Sequence, residues 1–352
     1  MTILFYSLSA FFFGFLFNIF ILSISHLRFF DIFYDKNYLK PQSFHSRPII
    51  CFGGISLYLL FFIICVFVNK SEIFFNFILI ITPVFIIGLV DDLKFNLSPL
   101  TRLFSIIFFL LIAIYLLNIN ISNIDLYFLE KFLNKYFFLK LLFVCMCFIF
   151  LINGSNFIDG FNGLLGIHAI ILIAILNVVN YYFNNYELFL IGAIFFSAIL
   201  SFLLFNFPKA KIFLGDAGSY LIGSIIAYLA IETSNQTSNI NPFFFAVILF
   251  YLFFEVLFSF FRKILINKTS PLKPDKNHLH MMIFRNIYEK IKDKNKSNYL
   301  TSLIINGFFL LLMIPLVFLF DNSIFCKLYF SILIIFYLSL YIFLNQKELK
   351  DK

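Results

Sequence analysis

The sequence contains little charge. Only 12% of its 352 residues are Asp, Glu, Lys or Arg, whereas 62% are hydrophobic and the mean hydropathy is +0.98. Tryptophan is absent, and 58 phenylalanines supply most of the aromatic content. A soluble domain carries about 25% charged residues, so the composition excludes a soluble protein and indicates one that crosses a membrane several times.

The sequence also lacks patterns that would divide it or mark it for cleavage. No internal repeat or low-complexity linker interrupts it, so we expect one polytopic membrane domain over residues 1–352. The first apolar run, residues 3–24, has no basic stretch before it and is long enough to span a bilayer, which favours a membrane helix over a signal peptide. The five cysteines have no metal-ligand spacing, and Cys145 and Cys147 indicate helix packing.

The apolar runs predict an all-α integral membrane protein with about eleven transmembrane helices, at about twenty residues per span. The predicted spans are residues 2–25, 50–69, 73–90, 103–118, 137–152, 163–181, 187–205, 218–233, 242–265, 300–320 and 326–344. With a periplasmic N-terminus and a cytoplasmic C-terminus, all but five of the 26 Lys and Arg residues are cytoplasmic, as the positive-inside rule requires. The chemically distinctive loops are then also cytoplasmic, near residues 26–49, 91–102, 153–162, 206–217 and 266–299.

Two adjacent carboxylates, Asp91 and Asp92, stand where the apolar run 73–90 gives way to polar sequence. A charge at the bilayer centre costs about 2.5–3.5 kcal/mol, so the pair should lie at the membrane surface or in a wet cavity. Neighbouring anions repel unless a cation compensates them, and Mg²⁺ prefers such hard oxygen ligands. Taken alone, the pair is equally compatible with the polar end of a helix.

Asn153, Asn156 and Asp159 form a second cluster, whose spacing would place all three on one helix face. Gly160 and Gly163 then allow the chain to break or to approach a ligand closely. Short amides and an acid suit the base and ribose hydroxyls of a nucleotide. The same residue types also favour ordinary helix caps and turns.

The third cluster joins Lys209 and Lys211 to Asp216, just before another apolar run. A helix that starts near Gly218 would direct free N–H groups and its positive end at a phosphate. Asp216 is equally compatible with the N-cap of that helix, and the lysines with positive-inside anchors.

The fourth cluster holds His278 and His280 among Lys273, Lys276 and Arg285. No further His or Cys is near enough to complete a zinc site, so contact with a polyanion is the preferred interpretation. One further acid, Glu255, falls within the ninth predicted span and has no assigned role beyond facing a cavity.

The chain resembles the polyprenyl-phosphate N-acetylhexosamine-1-phosphate transferases, glycosyltransferase family 4, in four stretches that occur in the family's order: LVDDLKFNLSP, NGSNFIDGFNGL, NFPKAKIFLGDAGS and PLKPDKNHLH. The resemblance runs from about His45 to His280. It implies a Mg²⁺-dependent enzyme, with Mn²⁺ as an alternative metal, in the bacterial inner membrane with its active site on the cytoplasmic face. The lipid bilayer, undecaprenyl phosphate and a UDP-N-acetylhexosamine are the implied partners.

The resemblance also implies roles for single residues. Asp91 and Asp92 match the paired aspartates that bind Mg²⁺ and activate the lipid phosphate, and Asp216 matches a Mg²⁺ ligand that would share the ion with Asp92. His278 and His280 match a catalytic loop taken to contact the sugar-nucleotide phosphates. The implied substrate-binding residues are Asn153, Asn156, Asp159, Asn162, Lys209, Lys211, His45 and Arg47.

The chain departs from the family pattern at a few positions. Asn162 stands where members commonly carry a second aspartate, and Asn96 where many amino-sugar transferases have an acid. His278-Leu-His280 lacks the three consecutive histidines of the peptidoglycan enzyme, which favours a simple amino sugar. The implied reaction moves GlcNAc-1-phosphate from UDP-GlcNAc to undecaprenyl phosphate and releases UMP, as a first membrane step of cell-envelope polysaccharide or O-antigen synthesis.

Several alternatives stay open. Another N-acetylated UDP-hexosamine or MurNAc-pentapeptide would use the same chemistry, and either paired aspartate could act as base or nucleophile unless the lipid phosphate attacks directly. A membrane prenyltransferase would carry two Asp-rich motifs on one diphosphate. A transporter would place its acids near mid-membrane, at separate positions or depths. Nothing indicates nucleic-acid binding, and a homodimer is compatible with the sequence.

Overall fold

The computed structural model describes residues 2–35, 48–67, 72–95, 97–271, 273 and 275–350. His45, Arg47 and Asn96 lie outside the described residues. The described part of the chain is mostly helical. Its α-helices are α1 (Thr2–Ile24), α2 (Gly53–Phe67), α3 (Glu72–Asp92), α4 (Pro99–Leu116), α5 (Tyr127–Lys135), α6 (Phe137–Ile158), α7 (Leu164–Tyr182), α8 (Tyr186–Asn206), α9 (Gly215–Gln236), α10 (Pro242–Ile248), α11 (Phe250–Phe261), α12 (Leu279–Ile291), α13 (Lys294–Met313), α14 (Leu316–Leu319) and α15 (Ser323–Lys350).

Seven of these helices are long and apolar enough to cross a membrane, namely α1, α3, α4, α6, α7, α8 and α15. A further candidate is the pair α10 and α11, with a bend of 72° at the break between them. The prediction of an α-helical membrane protein is therefore confirmed. Each of the eleven predicted spans overlaps at least one helix, the ninth overlapping the bent pair α10 and α11, but α2, α9 and α13 fall short of the same criterion. The count of eleven and the orientation stay predictions.

A small sheet, which the sequence did not predict, interrupts the helical fold. Its strands are β1 (Tyr34–Asp35), β2 (Ile49–Cys51) and β3 (Ile212–Phe213). β2 pairs antiparallel with β1 and parallel with β3. Because β2 leads into α2 and β3 leads into α9, the sheet holds the starts of these two helices side by side.

α9 is the central helix of the bundle. Every residue from Ala217 to Ile231 is buried, and α2, α3, α6 and α7 all contact this helix. Small residues permit the close approach. A Cβ on Gly54 of α2 would collide with the backbone of Gly218, and one on Gly88 of α3 would lie 2.6 Å from the Cα of Ala217. α2 and α3 therefore meet the start of α9 backbone to backbone.

Candidate active site

The start of α9 is capped by a carboxylate from another helix. Asp92, the last residue of α3, accepts the backbone N–H groups of Asp216 (2.8 Å) and Ala217 (2.9 Å). The N-cap residue itself, Leu214, offers no side-chain acceptor, so Asp92 satisfies two of the N–H groups that a helix start leaves free. The negative charge also suits the positive end of the helix. This bond pair fixes α3 to α9 at the polar end of both.

The capping corrects one expectation drawn from the sequence. α9 begins at Gly215 and not near Gly218, and Asp92 accepts two of the amides at this helix start. Phosphate binding at the start of α9 stays a prediction. Asp216 lies within the first turn and is not the N-cap. Its side chain is therefore directed to other partners.

Arg102, in the first turn of α4, joins two acidic motifs. Its Nη1 lies 2.5 Å from Oδ2 of Asp91 and 3.0 Å from Oδ2 of Asp216. Asn156 of α6 donates to the other oxygen of Asp216 (2.7 Å) and to the hydroxyl of Ser219 (3.0 Å). Three of the four sequence motifs thus converge through direct hydrogen bonds at the ends of α3, α4, α6 and α9.

Asp159 directly follows α6 and completes an acidic cluster, which we define as Asp91, Asp92, Asp159 and Asp216. Burial, together with the negative charges of Asp216 and Asp92, raises the pKa of Asp159 well above its ordinary value. Within the described residues, Arg102 forms the ion pairs of this cluster, to Asp91 and to Asp216. Arg102 thus compensates two of the four acids directly, and the region carries an excess of negative charge.

The acidic cluster has the donor chemistry that Mg²⁺ prefers. Carboxylate oxygens are hard ligands, and a divalent cation would compensate the excess charge. The oxygens of Asp92 also keep lone pairs beyond those used by the two amides. In the described arrangement no three His, Cys, Asp or Glu side chains form a ready metal site, and Arg102 lies between Asp91 and Asp216. The donors fit Mg²⁺, and the metal roles of Asp92 and Asp216 stay predictions.

Two of the other residues predicted to bind substrate, Asn153 and Asn162, have local partners. Asn153 donates to a carbonyl of its own helix (2.8 Å). The backbone N–H of Asn162 donates to a side chain of α13, and its amide donates to the carbonyl of Pro208. Lys209 and Lys211 are exposed and make no ion pair with a described residue. Substrate binding by these four residues stays a prediction.

His278 and His280 lie inside the protein, 2% and 0% exposed. The ring of His278 contacts Phe157 (5.0 Å between centroids), and the ring of His280 contacts Phe161 (5.7 Å). The two histidines thus pack against the end of α6 that carries Asn156. Burial lowers the pKa of His280 to about 3, so this ring is neutral near pH 7. Contact of either histidine with a substrate stays a prediction.

Two charged residues of this region gained their roles only from the structure. In the sequence, Arg102 only ends the predicted loop 91–102, although a cation that close to paired acids signals an ion pair. Glu255 lies within an apolar predicted span, and the structure gives it a partner, Nδ1 of His278 at 2.9 Å. The signal for Glu255 was its position, since a carboxylate in such a span needs hydrogen-bond donors.

Comparisons with known proteins agree with the motifs. Residues 74–234 match the model of Glycosyl transferase family 4. A Thermotoga maritima protein described as undecaprenyl-phosphate alpha-N-acetylglucosaminyl 1-phosphate transferase is 28% identical over 251 residues, 69% of this chain and 70% of that protein. An Escherichia coli K12 protein of the same description is 30% identical over 139 residues, 38% of each chain.

Residues 74–234 of the chain are a glycosyltransferase family 4 region. The family assigned from the motifs is thereby confirmed. A phospho-N-acetylmuramoyl-pentapeptide-transferase of Streptococcus uberis is also similar, at 33% identity over 84 residues, 24% of this chain and 25% of that protein. The chain thus matches less than half the length of the E. coli and S. uberis relatives. The region matched to family 4 contains the acidic cluster, Asn156 and Arg102, whereas His278 and His280 lie beyond it.

Proposed function

We propose that the chain transfers a sugar-1-phosphate, GlcNAc-1-phosphate in the simplest case, from a UDP-sugar to undecaprenyl phosphate and releases UMP. The observation that carries this proposal is the convergence of Asp91, Asp92, Asn156 and Asp216 around Arg102. Relatives named for this transfer, in T. maritima and E. coli, support it. The donor, the acceptor and the metal are all parts of the proposal.

The reaction joins two anions, so it needs positioning and charge compensation more than covalent chemistry. An oxygen of the lipid phosphate attacks the sugar-bearing phosphorus of the donor. The bond from that phosphorus to the bridging oxygen breaks, and UMP leaves with the bridging oxygen. Mg²⁺, held by Asp216 and Asp92 and replaceable by Mn²⁺, would neutralise phosphate charge in this step.

Asp92, Asn156 and Arg102 have different structural roles at the acidic cluster. Asp92 holds the start of α9 in place, and Asn156 orients the carboxylate of Asp216. Arg102 keeps Asp91 and Asp216 together in spite of their mutual repulsion. A site preorganised in this way does not have to rearrange its charges when the phosphates react.

We infer that the site lies at the cytoplasmic face of a bacterial inner membrane, because that orientation puts all but five of the 26 Lys and Arg residues inside. The contacts at the ends of α3, α4, α6 and α9 support a sugar-phosphate transferase over a transporter or a prenyltransferase. Acids of a transporter would be separated along the spans, whereas here Arg102 joins Asp91 to Asp216, and Asp92 caps the helix that carries Asp216. A prenyltransferase would not need Asn156 bound to Asp216.

The spacing of His278 and His280 is the basis for the proposed donor sugar. His278 and His280 are separated by a leucine, which favours a simple N-acetylhexosamine over MurNAc-pentapeptide. The similarity to a phospho-N-acetylmuramoyl-pentapeptide-transferase keeps the second donor worth testing. The product would be the first lipid-linked sugar of an envelope polysaccharide.

The test incubates the purified protein with undecaprenyl phosphate, Mg²⁺ and one donor at a time: UDP-GlcNAc, UDP-GalNAc or UDP-MurNAc-pentapeptide. UMP release and the lipid product are both scored. UDP-GlcNAc is expected to give both, and chelation of the metal is expected to stop the reaction. Turnover with UDP-MurNAc-pentapeptide alone would overturn the choice of sugar, and no turnover with any donor would overturn the proposed function.

A further inference from the structure

A buried carboxylate lies directly behind His278, the first histidine of the His278-Leu-His280 segment. Glu255 of α11 is 1% exposed, and its Oε1 lies 2.9 Å from Nδ1 of His278 and accepts the backbone N–H of Leu279 (3.2 Å). Its Oε2 accepts the hydroxyl of Tyr337 (2.7 Å). An acid in an apolar helix is costly unless donors surround it, and here three donors from α12, its N-cap and α15 do so.

We propose that Glu255 is a positioning residue for His278, a role that rests on the proposed function. An ionised carboxylate only accepts hydrogen bonds, so Nδ1 of His278 must carry a hydrogen. The ring is thereby fixed in one tautomer and one orientation, with Nε2 as the nitrogen left for a substrate. The family match ends before Glu255, and neither the motifs nor the relatives assign this residue.

The surroundings of Nε2 support this orientation. Nε2 of His278 lies 3.9 Å from Oδ1 of Asp275, beyond hydrogen-bond distance, and Asp275 is itself held by Arg262 (2.9 Å) and Lys263 (3.6 Å). Lys263 also donates to the carbonyls of Pro271 and Lys273. The loop that carries the histidine is therefore tied to the residues that directly follow α11, and Nε2 makes no hydrogen bond with a described residue.

The network also reaches the acidic cluster. The ring of His278 packs on Phe157, the residue after Asn156. α6 and α11 approach closely because Gly154 has no side chain: a Cβ there would collide with the backbone of Leu252, one turn before Glu255. A displacement of Glu255 would therefore also displace His278 and, through Phe157, the end of α6, where Asn156 orients Asp216.

The C-terminal helix α15 contacts both Glu255 and α12. Tyr337 binds the second oxygen of Glu255, and Glu348 pairs with Arg285 of α12 at 2.8 and 3.0 Å. These two contacts differ in one respect. Tyr337 touches the group that holds His278, whereas Glu348 pairs with Arg285 and is hydrogen-bonded to neither Glu255 nor His278. The chain thus contains a matched control for a purely structural effect.

The experiment uses full-length protein in detergent with ¹⁵N-labelled histidine. The sequence has five histidines, so the His278 resonances can be assigned by their loss in His278→Gln. Glu255→Leu removes the acceptor, and Glu255→Gln keeps an acceptor oxygen for Nδ1–H. Glu348→Gln is the control. For every variant the tautomer of His278, kcat and KM for the UDP-sugar are measured.

We expect Glu255→Leu to abolish the Nδ1–H signature and to lower kcat by about 100-fold, the scale on which misplaced acid–base groups act. Glu255→Gln should retain the signature and recover part of kcat. Glu348→Gln should change neither. Since Glu255→Gln keeps the packing and the acceptor, it remains informative even if Glu255→Leu folds poorly.

An unchanged His278 tautomer in Glu255→Leu would overturn the positioning role. So would a changed tautomer with normal kcat, while the proposed function would then stand. A wild-type protein that turns over no donor would overturn the proposed function first, and the role of Glu255 in catalysis with it.

Discussion

A Cβ placed on Gly215 would lie 2.5 Å from Oδ2 of Asp92. Gly215 has a φ of +74°, a left-handed conformation that turns the chain into α9 directly against that carboxylate. Residues with a Cβ pay about 1–2 kcal/mol in this region of backbone space, so glycine is required here for two independent reasons. The bond between α3 and α9 depends on this absence of a side chain.

Gly215→Ala should therefore displace Asp92 from its two amides. We expect a loss of stability of about 2 kcal/mol or more, from the backbone strain and the lost cap together, and a large drop in UMP release. Thermal unfolding in detergent and the UMP assay measure the two effects. The control is Gly307→Ala in α13, where a Cβ would meet nothing within 4 Å and should be neutral or stabilising. If Gly215→Ala and Gly307→Ala had the same stability and the same rate of UMP release, the capping of α9 by Asp92 would be contradicted.

Asp91→Asn and Asp92→Asn should both lower activity, but only Asp92→Asn should clearly lower stability. Asn at position 92 presents an NH₂ group to one of the α9 amides, so it should cost about 1 kcal/mol of stability as well as activity. Asn at position 91 leaves the cap intact and should lower UMP release by about 100-fold with little change in thermal unfolding. The idea fails if Asp91→Asn unfolds earlier than Asp92→Asn.

Arg102→Gln should change the response to metal. Without the guanidinium, Asp91 and Asp216 face each other uncompensated, and a divalent cation should bind more tightly. We expect the Mg²⁺ concentration that half-saturates thermal stabilisation to fall by about tenfold, equivalent to about 1.4 kcal/mol, while UMP release also falls.

Lys94→Gln is the control for Arg102→Gln, because Lys94 donates to the carbonyl of Tyr34 and not to the acidic cluster. This variant should leave the Mg²⁺ response unchanged. Failure of Mg²⁺ to stabilise the wild-type protein at any concentration would argue against the proposed metal.

His280 should make the protein sensitive to acid. Its pKa is about 3 in the folded protein and about 6.5 in the unfolded chain, so only the unfolded state takes up a proton between these values. The resulting loss of stability is absent above about pH 6.5 and grows as the pH falls below it. His280→Leu should therefore narrow the difference in melting temperature between about pH 7.5 and about pH 5.5.

The exposed His26 is the matched control for this effect. His26→Gln should melt with the same pH dependence as the wild type. An unchanged pH dependence in His280→Leu would mean that the buried ring is not held neutral.

Much of the fold and site could be predicted from sequence because local patterns specify them. Apolar runs of membrane length predicted the helices, and Asn153 and Asn156 do lie one turn apart on α6. The contacts between motifs could not be predicted in the same way. Asp92 and Asp216 are 124 positions apart, and only the packing of α3 on α9 reveals that one caps the other.

The roles that sequence patterns did not predict are mainly those of charged residues outside any recognisable motif. Arg102 stands alone at the start of an apolar helix, and Glu255 stands alone within one. Periodicity gives such residues no partner, because their partners come from distant helices. The cost of burying a charge was the available signal, and it predicted that a partner exists without naming it.

The central claim is that the acidic cluster is where a sugar-1-phosphate is transferred to a lipid phosphate. The most direct measurement is UMP release from UDP-GlcNAc, with undecaprenyl phosphate and Mg²⁺, by wild type, Asp216→Asn and the exposed-site control Asp321→Asn. Wild type and Asp321→Asn are predicted to release UMP at similar rates, and Asp216→Asn about 100-fold or more slowly although folded. Equal rates for Asp216→Asn and wild type would contradict the claim.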